Sequence, residues 1–245
     1  MNKRQDKILD ALAKEIAHSS KKTNWIKNNF DVFLKDINNC RLPIFDNLQR
    51  KYNFFGEVLE VGAGSCWLSA LISKTPGVRK IYALDISRDL LETIGADIIC
   101  RLNGNKEKIE FINADFNNLP FENNKFNIAV CDASLHHAQN SSILLKEISR
   151  ILKAGGFLIA IREPIKPLIY WRKFGKSEIA KGATENIYSK REWKRYFKEA
   201  GLSLNIVEDF SQNDFKTSVF RLFLFRFLNG ILFSRYHFFA KKCNS

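Results

Sequence analysis

The densest chemical signal in the 245-residue chain is Val58-Leu-Glu-Val-Gly-Ala-Gly-Ser-Cys-Trp67. A strand that delivers into a glycine turn and then a helix brings backbone amides close to a ligand. Gly62 and Gly64 permit positive φ there and remove side chains from the approach, with Ala63 between them. Taken alone, the pattern also fits a tight strand-to-helix turn that binds nothing. Two neighbours narrow the choice of ligand. Trp67 stands where a dinucleotide site favours glycine or alanine, and Glu60 puts a carboxylate just before the turn. A buried carboxylate suits a cationic ligand better than a pyrophosphate.

Three further acids end apolar runs. Asp85 closes Ile81-Tyr-Ala-Leu-Asp-Ile86 and is placed to accept both hydroxyls of a ribose. An acid near a helix start, favoured by the dipole, is the alternative for it. Asp115, in Ile112-Asn-Ala-Asp-Phe116, can accept an exocyclic amine or simply form a turn. Asp132 precedes Ala-Ser-Leu-His136-His137, so the two histidines should border the same crevice, beyond the carboxyl ends of the strands. A histidine near neutral pH can act as general base, and paired histidines at a helix start are as often structural.

The elements that must position these residues follow from periodicity. Residues 5–18 and about 23–38 repeat apolar side chains at helical spacing. From Glu57 onward, short apolar runs alternate with helical patterns. Strands are expected at 58–61, 80–84, 108–113, 127–131 and 157–161. Helices are expected at 65–73, at 87–102 with Ser87 as N-cap, and around Leu144–Leu152, stopping at Gly155-Gly156. Such alternation implies an α/β fold with right-handed crossovers and a parallel sheet covered on both faces. Residues 163–188 read as a long loop or lid with a helical piece. Ser189-Lys-Arg-Glu192 is a capping box opening a helix that Gly201 closes, and 202–210 is a further strand.

Together these segments resemble the class I S-adenosylmethionine-dependent methyltransferases, most closely the small-molecule branch that includes quinone-biosynthesis enzymes. Glu60-Val-Gly-Ala-Gly matches the family's first motif and Asp85 its ribose-binding acid. Ala114-Asp115-Phe116 with Leu119-Pro-Phe121 matches the adenine-contacting segment, and Ser134-Leu-His-His137 the pattern after the fourth strand. Leu152-Lys-Ala-Gly-Gly-Phe157 matches the turn into the fifth. The likeness covers about residues 56–163, with a fainter echo at 193–202. It implies a Rossmann-like, seven-stranded, mostly parallel sheet with an antiparallel seventh strand, flanked by helices, and S-adenosyl-L-methionine as cofactor. Glu60, Gly62, Ala63 and Gly64 would hold its methionine end, Asp85 and Ile86 its ribose, and Ala114, Asp115 and Phe116 its adenine. Asp132 would border the cofactor, with His136 or His137 as candidate base. Cys66 departs from the pattern, because many relatives carry a third glycine there.

Net charge is +13, divided as +5 over residues 1–56, −1 over 57–160 and +9 over 161–245. The expected division is an N-terminal helical cap (1–55), a methyltransferase domain (56–228) and a C-terminal basic tail (229–245). Five scattered cysteines without metal-ligand spacing read as reduced thiols, so no metal site and a cytoplasmic protein are expected. The first twenty residues read as an amphipathic helix and not as a secretory leader. The basic flanks invite a second hypothesis, RNA methylation. The Asp132-Ala-Ser-Leu sequence lacks the Asn/Asp-Pro-Pro-aromatic motif of base-amine methyltransferases, which disfavours it. A third hypothesis assigns Phe220, Phe223, Phe225, Phe227 and Phe233, interleaved with Arg221, Arg226 and Arg235, to a membrane-surface element and a lipid-linked acceptor. Against it stands a last sheet strand with its packing, or a dimer contact, and a small-molecule acceptor remains the first expectation.

Overall fold

The computed structural model describes residues 3–116, 118–166, 186–209 and 235–243. Among them, seven strands form one sheet: β1 (Gly56–Val61), β2 (Val78–Asp85), β3 (Ile109–Asn113), β4 (Phe126–Asp132), β5 (Leu152–Pro164), β6 (Leu202–Glu208) and β7 (Arg235–Lys242). Their order is β3-β2-β1-β4-β5-β7-β6, with β7 alone antiparallel to its neighbours. The order reverses between β1 and β4, which opens a crevice beyond their carboxyl ends.

The strands are apolar on both faces because both are covered. On one face Leu59, Val61, Ala129 and Leu158 pack with α6 (Ser141–Ile151) and α7 (Lys190–Glu199), whose Trp193 and Phe197 are fully buried. On the other, Val58, Ile81, Ile128 and Ile159 meet α4 (Trp67–Ile72), a wide π turn at Leu90–Gly95 and α5 (Ala96–Arg101). That face is completed by α1 (Lys3–Asn28), α2 (Phe30–Asp36), a π turn at Ile37–Arg41 and α3 (Leu42–Lys51). Ile26, Phe33, Ile37 and Leu48 anchor these N-terminal helices. Ser189 caps α7 reciprocally with Glu192, as its sequence predicts. Ser87 Oγ accepts the Leu90 amide at 3.3 Å.

Two expectations change. The helix before the fifth strand ends at Ile151, and Leu152 already pairs with Phe126 as the first residue of β5. Gly155, at φ +72°, therefore turns the strand and does not cap the helix. The segment expected as a basic tail supplies β7, which hydrogen-bonds to both β5 and β6, so a boundary at 228 cuts through the sheet. Phe238 packs on Trp193 in one core and Phe239 stacks on Tyr52 in the other. Phe220, Phe223, Phe225, Phe227 and Phe233 lie outside the described residues, as does most of the 163–188 segment. Among the described residues, no helix is long and apolar enough to cross a membrane.

Candidate active site

The turn after β1 carries Gly62 at φ +70°, Gly64 at +52° and Cys66 at +56°. A Cβ on Gly62 would stand 2.7 Å from Ser134 Cβ and 4.0 Å from the Phe116 ring. The ends of β1, β3 and β4 thus converge on a point where no side chain fits. Ser134 closes the gap by donating to the Val61 carbonyl at 2.7 Å. Cys66 keeps the left-handed backbone that the missing third glycine would favour, so the path of the turn is unchanged. Its thiol is buried, and a Cβ on Gly95 would lie 2.9 Å from the sulfur.

Asp85 fastens the turn to β2. Its Oδ2 accepts the Gly64 amide at 2.8 Å and its Oδ1 the Ser87 amide at 2.9 Å. Burial raises its pKa against those amides and the nearby Lys22. A carboxylate has about four acceptor sites, so further donors can be taken. Asn113 Nδ2 donates to the Asp85 and Ile86 carbonyls, and the Ala114 amide to the Asp85 carbonyl, which fixes the start of the Ala114–Phe116 segment beside β2.

Glu60 is fully buried. Oε2 accepts the Ser69 amide at 2.9 Å and the Ser69 hydroxyl, whereas Oε1 has no hydrogen-bond partner among the described residues. Burial, with Asp132 and Asp85 nearby, pushes its pKa up to about 8. A buried, half-satisfied acid beside a cradle that excludes even a methyl group fits a small ligand with an amino group.

Asp132 occupies the end of β4 with its charge already matched. Arg162 donates to it twice, at 2.7 and 2.6 Å, Trp67 Nε1 donates at 2.7 Å, and Arg41 lies at 3.7 Å. These cations overcome the burial that would raise its pKa and hold it at about 2. Its carboxylate is thus already taken up by protein donors. Arg41 is also held by Asp36 at 2.9 Å and lies over the Phe33 ring. Arg162 at φ +57° and Ala133 at φ +49° put further unusual backbone at the same end of the sheet.

The two histidines differ. His136 is buried, its Nδ1 2.8 Å from Glu163 Oε2, while Glu163 Oε1 accepts the amides of Ser134 and Leu135. Glu163 thereby staples the turn after β4 to β5. His137 is half-buried, its ring 4.3 Å from that of His136. Arg41, Arg162, Glu163 and Lys22 are the site residues that sequence reasoning does not single out. Lys22 comes from α1, Arg41 from the π turn before α3, and Arg162 and Glu163 both from β5.

The sequence profile described as "Methyltransferase domain" matches residues 59–160, the stretch that carries the glycine turn, Asp85, Asp115 and Asp132. This stretch is a methyltransferase domain. A demethylmenaquinone methyltransferase of Staphylococcus saprophyticus is 27% identical over 176 residues, covering 63% of this chain and 73% of that protein. Among solved structures, an S-adenosylmethionine-dependent methyltransferase of Aquifex aeolicus superposes with a TM-score of 0.57 at 18% identity, covering 80% of this chain and 88% of that one. A geranyl diphosphate methyltransferase gives 0.60 at 16% identity, with 77% and 71% covered. The methyltransferase thus has the fold of its structural relatives, with an arginine-bridged aspartate at the end of β4.

Proposed function

We propose that this methyltransferase transfers the methyl group of S-adenosylmethionine to a quinone-type small molecule seated between α3 and the β6–β7 edge. The observation that carries this reading is a cavity of about 310 Å³ lined by Ile44, Leu48, Tyr52, Val207 and Phe239, with His237 and Asp209 among its polar groups. That volume and apolar lining suit a flat organic molecule with a few polar atoms. The relatives named as demethylmenaquinone methyltransferases support the same class of acceptor. The Arg162 amide donates to His237 Nδ1 at 3.2 Å, which puts the neutral ring's proton on Nε2, 3.3 Å from Asp209 Oδ1. Arg162 also binds Asp132, so one residue links the cavity-lining His237 to the end of β4.

For the cofactor, we assign Glu60 and the Gly62-Ala63-Gly64 turn to the methionine end, Asp85 and Ile86 to the ribose, and Ala114, Asp115 and Phe116 to the adenine. When bound, S-adenosylmethionine supplies a methyl group already activated on a sulfonium. The protein's share is then orientation and exclusion of water, which can lower a barrier by about 7–11 kcal/mol. Asp132, clamped by Arg162 and Trp67, shapes the wall of the crevice. His136 acts as a positioning residue through Glu163, and His137 is the candidate to receive a proton from an acceptor hydroxyl. Transfer of labelled methyl to a panel of quinols, with RNA and lipid vesicles in parallel, tests the acceptor class. Label in quinols supports the reading, reinforced if Leu48→Trp raises KM by filling the cavity. Label in RNA alone overturns it.

A further inference from the structure

The methionine end of the cofactor carries two charged groups, an ammonium and a carboxylate, and the strand ends supply only acids. Glu60, with Oε1 unpartnered, can match the ammonium, but no acid can match the carboxylate. Among the described residues, Arg162 on β5, Arg41 on the π turn before α3 and Lys22 on α1 bring cations to the crevice. Arg162 is committed to Asp132 through two hydrogen bonds, and Arg41 to Asp36. Lys22 differs. Its ammonium lies over the glycine turn, 3.8 Å from where a Gly64 Cβ would stand. No carboxylate among the described residues is in ion-pair distance of it. The helix that presents it is fixed in place, since Thr23 and Ile26 on α1 are fully buried and Lys27 pairs with Asp89 at 3.8 Å.

We propose that Lys22 is the residue that binds the carboxylate of the cofactor's methionine end, so that α1 completes the cofactor site. This rests on the reading that the glycine turn, Glu60 and Asp85 hold the cofactor. The electrostatics agree with it. Surrounding protein and Arg41 lower the lysine's pKa, Asp85 and Asp132 act the other way, and an incoming carboxylate would favour the charged ammonium further. Glu60 and Lys22 would then grip opposite charges of one zwitterion, and a ligand lacking the carboxylate would meet an unbalanced cation.

Titration calorimetry with S-adenosylmethionine, S-adenosylhomocysteine and decarboxylated S-adenosylmethionine tests this on the wild type, Lys22→Met and Lys22→Arg. A charge-assisted hydrogen bond predicts that Lys22→Met binds the two carboxylate-bearing ligands about 10- to 100-fold more weakly. The same variant should bind the decarboxylated ligand as well as the wild type or better, and Lys22→Arg should keep most of the preference. Equal losses for all three ligands, no loss for any, or tighter binding of all three would overturn the assignment; the last would show a lysine that merely blocks the site. A folded wild type that binds none of the three would instead overturn the cofactor site itself, and this inference with it.

Discussion

The proposed pairing of Glu60 with the cofactor's amino group makes affinity depend on pH in a calculable way. Its pKa of about 8 means that the free protein holds this acid protonated at neutral pH. An ammonium placed at the unpartnered Oε1 favours the carboxylate, so binding must release a proton wherever the pH lies below 8. Each unit below that value costs about 1.4 kcal/mol. Ionisation therefore weakens binding by about tenfold at pH 7 and about a hundredfold at pH 6. Calorimetry between pH 6 and 7, below the range of an α-amino group, should show Kd falling about tenfold over the unit. In buffers of different ionisation enthalpy it should show release of about one proton. Glu60→Gln keeps an oxygen for Ser69 and removes the titration, so its Kd should be flat over the same range. Stability should show the opposite trend in the free protein. The folded pKa is raised above the ordinary 4.5, so folding binds a proton between 4.5 and 8, and stability falls as pH rises through that window. A wild-type Kd that does not change between pH 6 and 7, or an equal slope in Glu60→Gln, refutes the pairing of Glu60 with the cofactor's amino group.

The Cys66–Gly95 contact predicts a change of sign. Gly95→Ala should destabilise the wild type by about 1–3 kcal/mol, because its Cβ would press on the Cys66 sulfur. In a Cys66→Gly background the same change should stabilise by about 1 kcal/mol through helix propensity; additive melting shifts would refute the contact. Removing Arg162 (Arg162→Met) should cost about 3–5 kcal/mol in denaturant unfolding, because it leaves Asp132 buried with too few donors. Asp132 has a folded pKa of about 2, below its ordinary 3.8, so it contributes stability above 3.8 that is lost as pH falls through 2. In Arg162→Met that loss should move to higher pH; an unchanged acid transition would contradict it. Ser189→Ala should lower stability by about 1 kcal/mol through loss of the α7 cap, read as a fall in Tm, and an unchanged Tm would show that the cap contributes nothing.

The parts of the site visible in the sequence are those made within one strand and the turn after it. Val58–Trp67, Asp85-Ile86 and Ala114–Phe116 are contiguous, and the spacing of strands and helices is enough to bring their ends to one crevice. The side chains that complete the crevice arrive from far along the chain. Arg162 and Asp132 are thirty residues apart, and the Glu163 staple depends on how β5 lies against β4. Local periodicity carries no signal for either. Cys66 looks like a break in the glycine pattern until Gly95, on a separate π turn, is seen to make room for its sulfur. The last strand was obscured for a different reason. Arg235–Lys242 is basic and aromatic, so it resembles a surface tail, and only its pairing with β5 and β6 shows Tyr236, Phe238 and Ala240 alternating into the core.

The central claim is that the crevice at the ends of β1, β2 and β3 binds S-adenosylmethionine through Asp85 and the glycine turn. Calorimetric titration of the cofactor into wild type and Asp85→Ala at pH 8, with circular dichroism to confirm that both are folded, tests it most directly. One site per chain in the wild type, and binding weakened by about tenfold or more in the variant, is the predicted result. A folded wild type that binds no cofactor, or an Asp85→Ala that binds it equally well, would contradict the account.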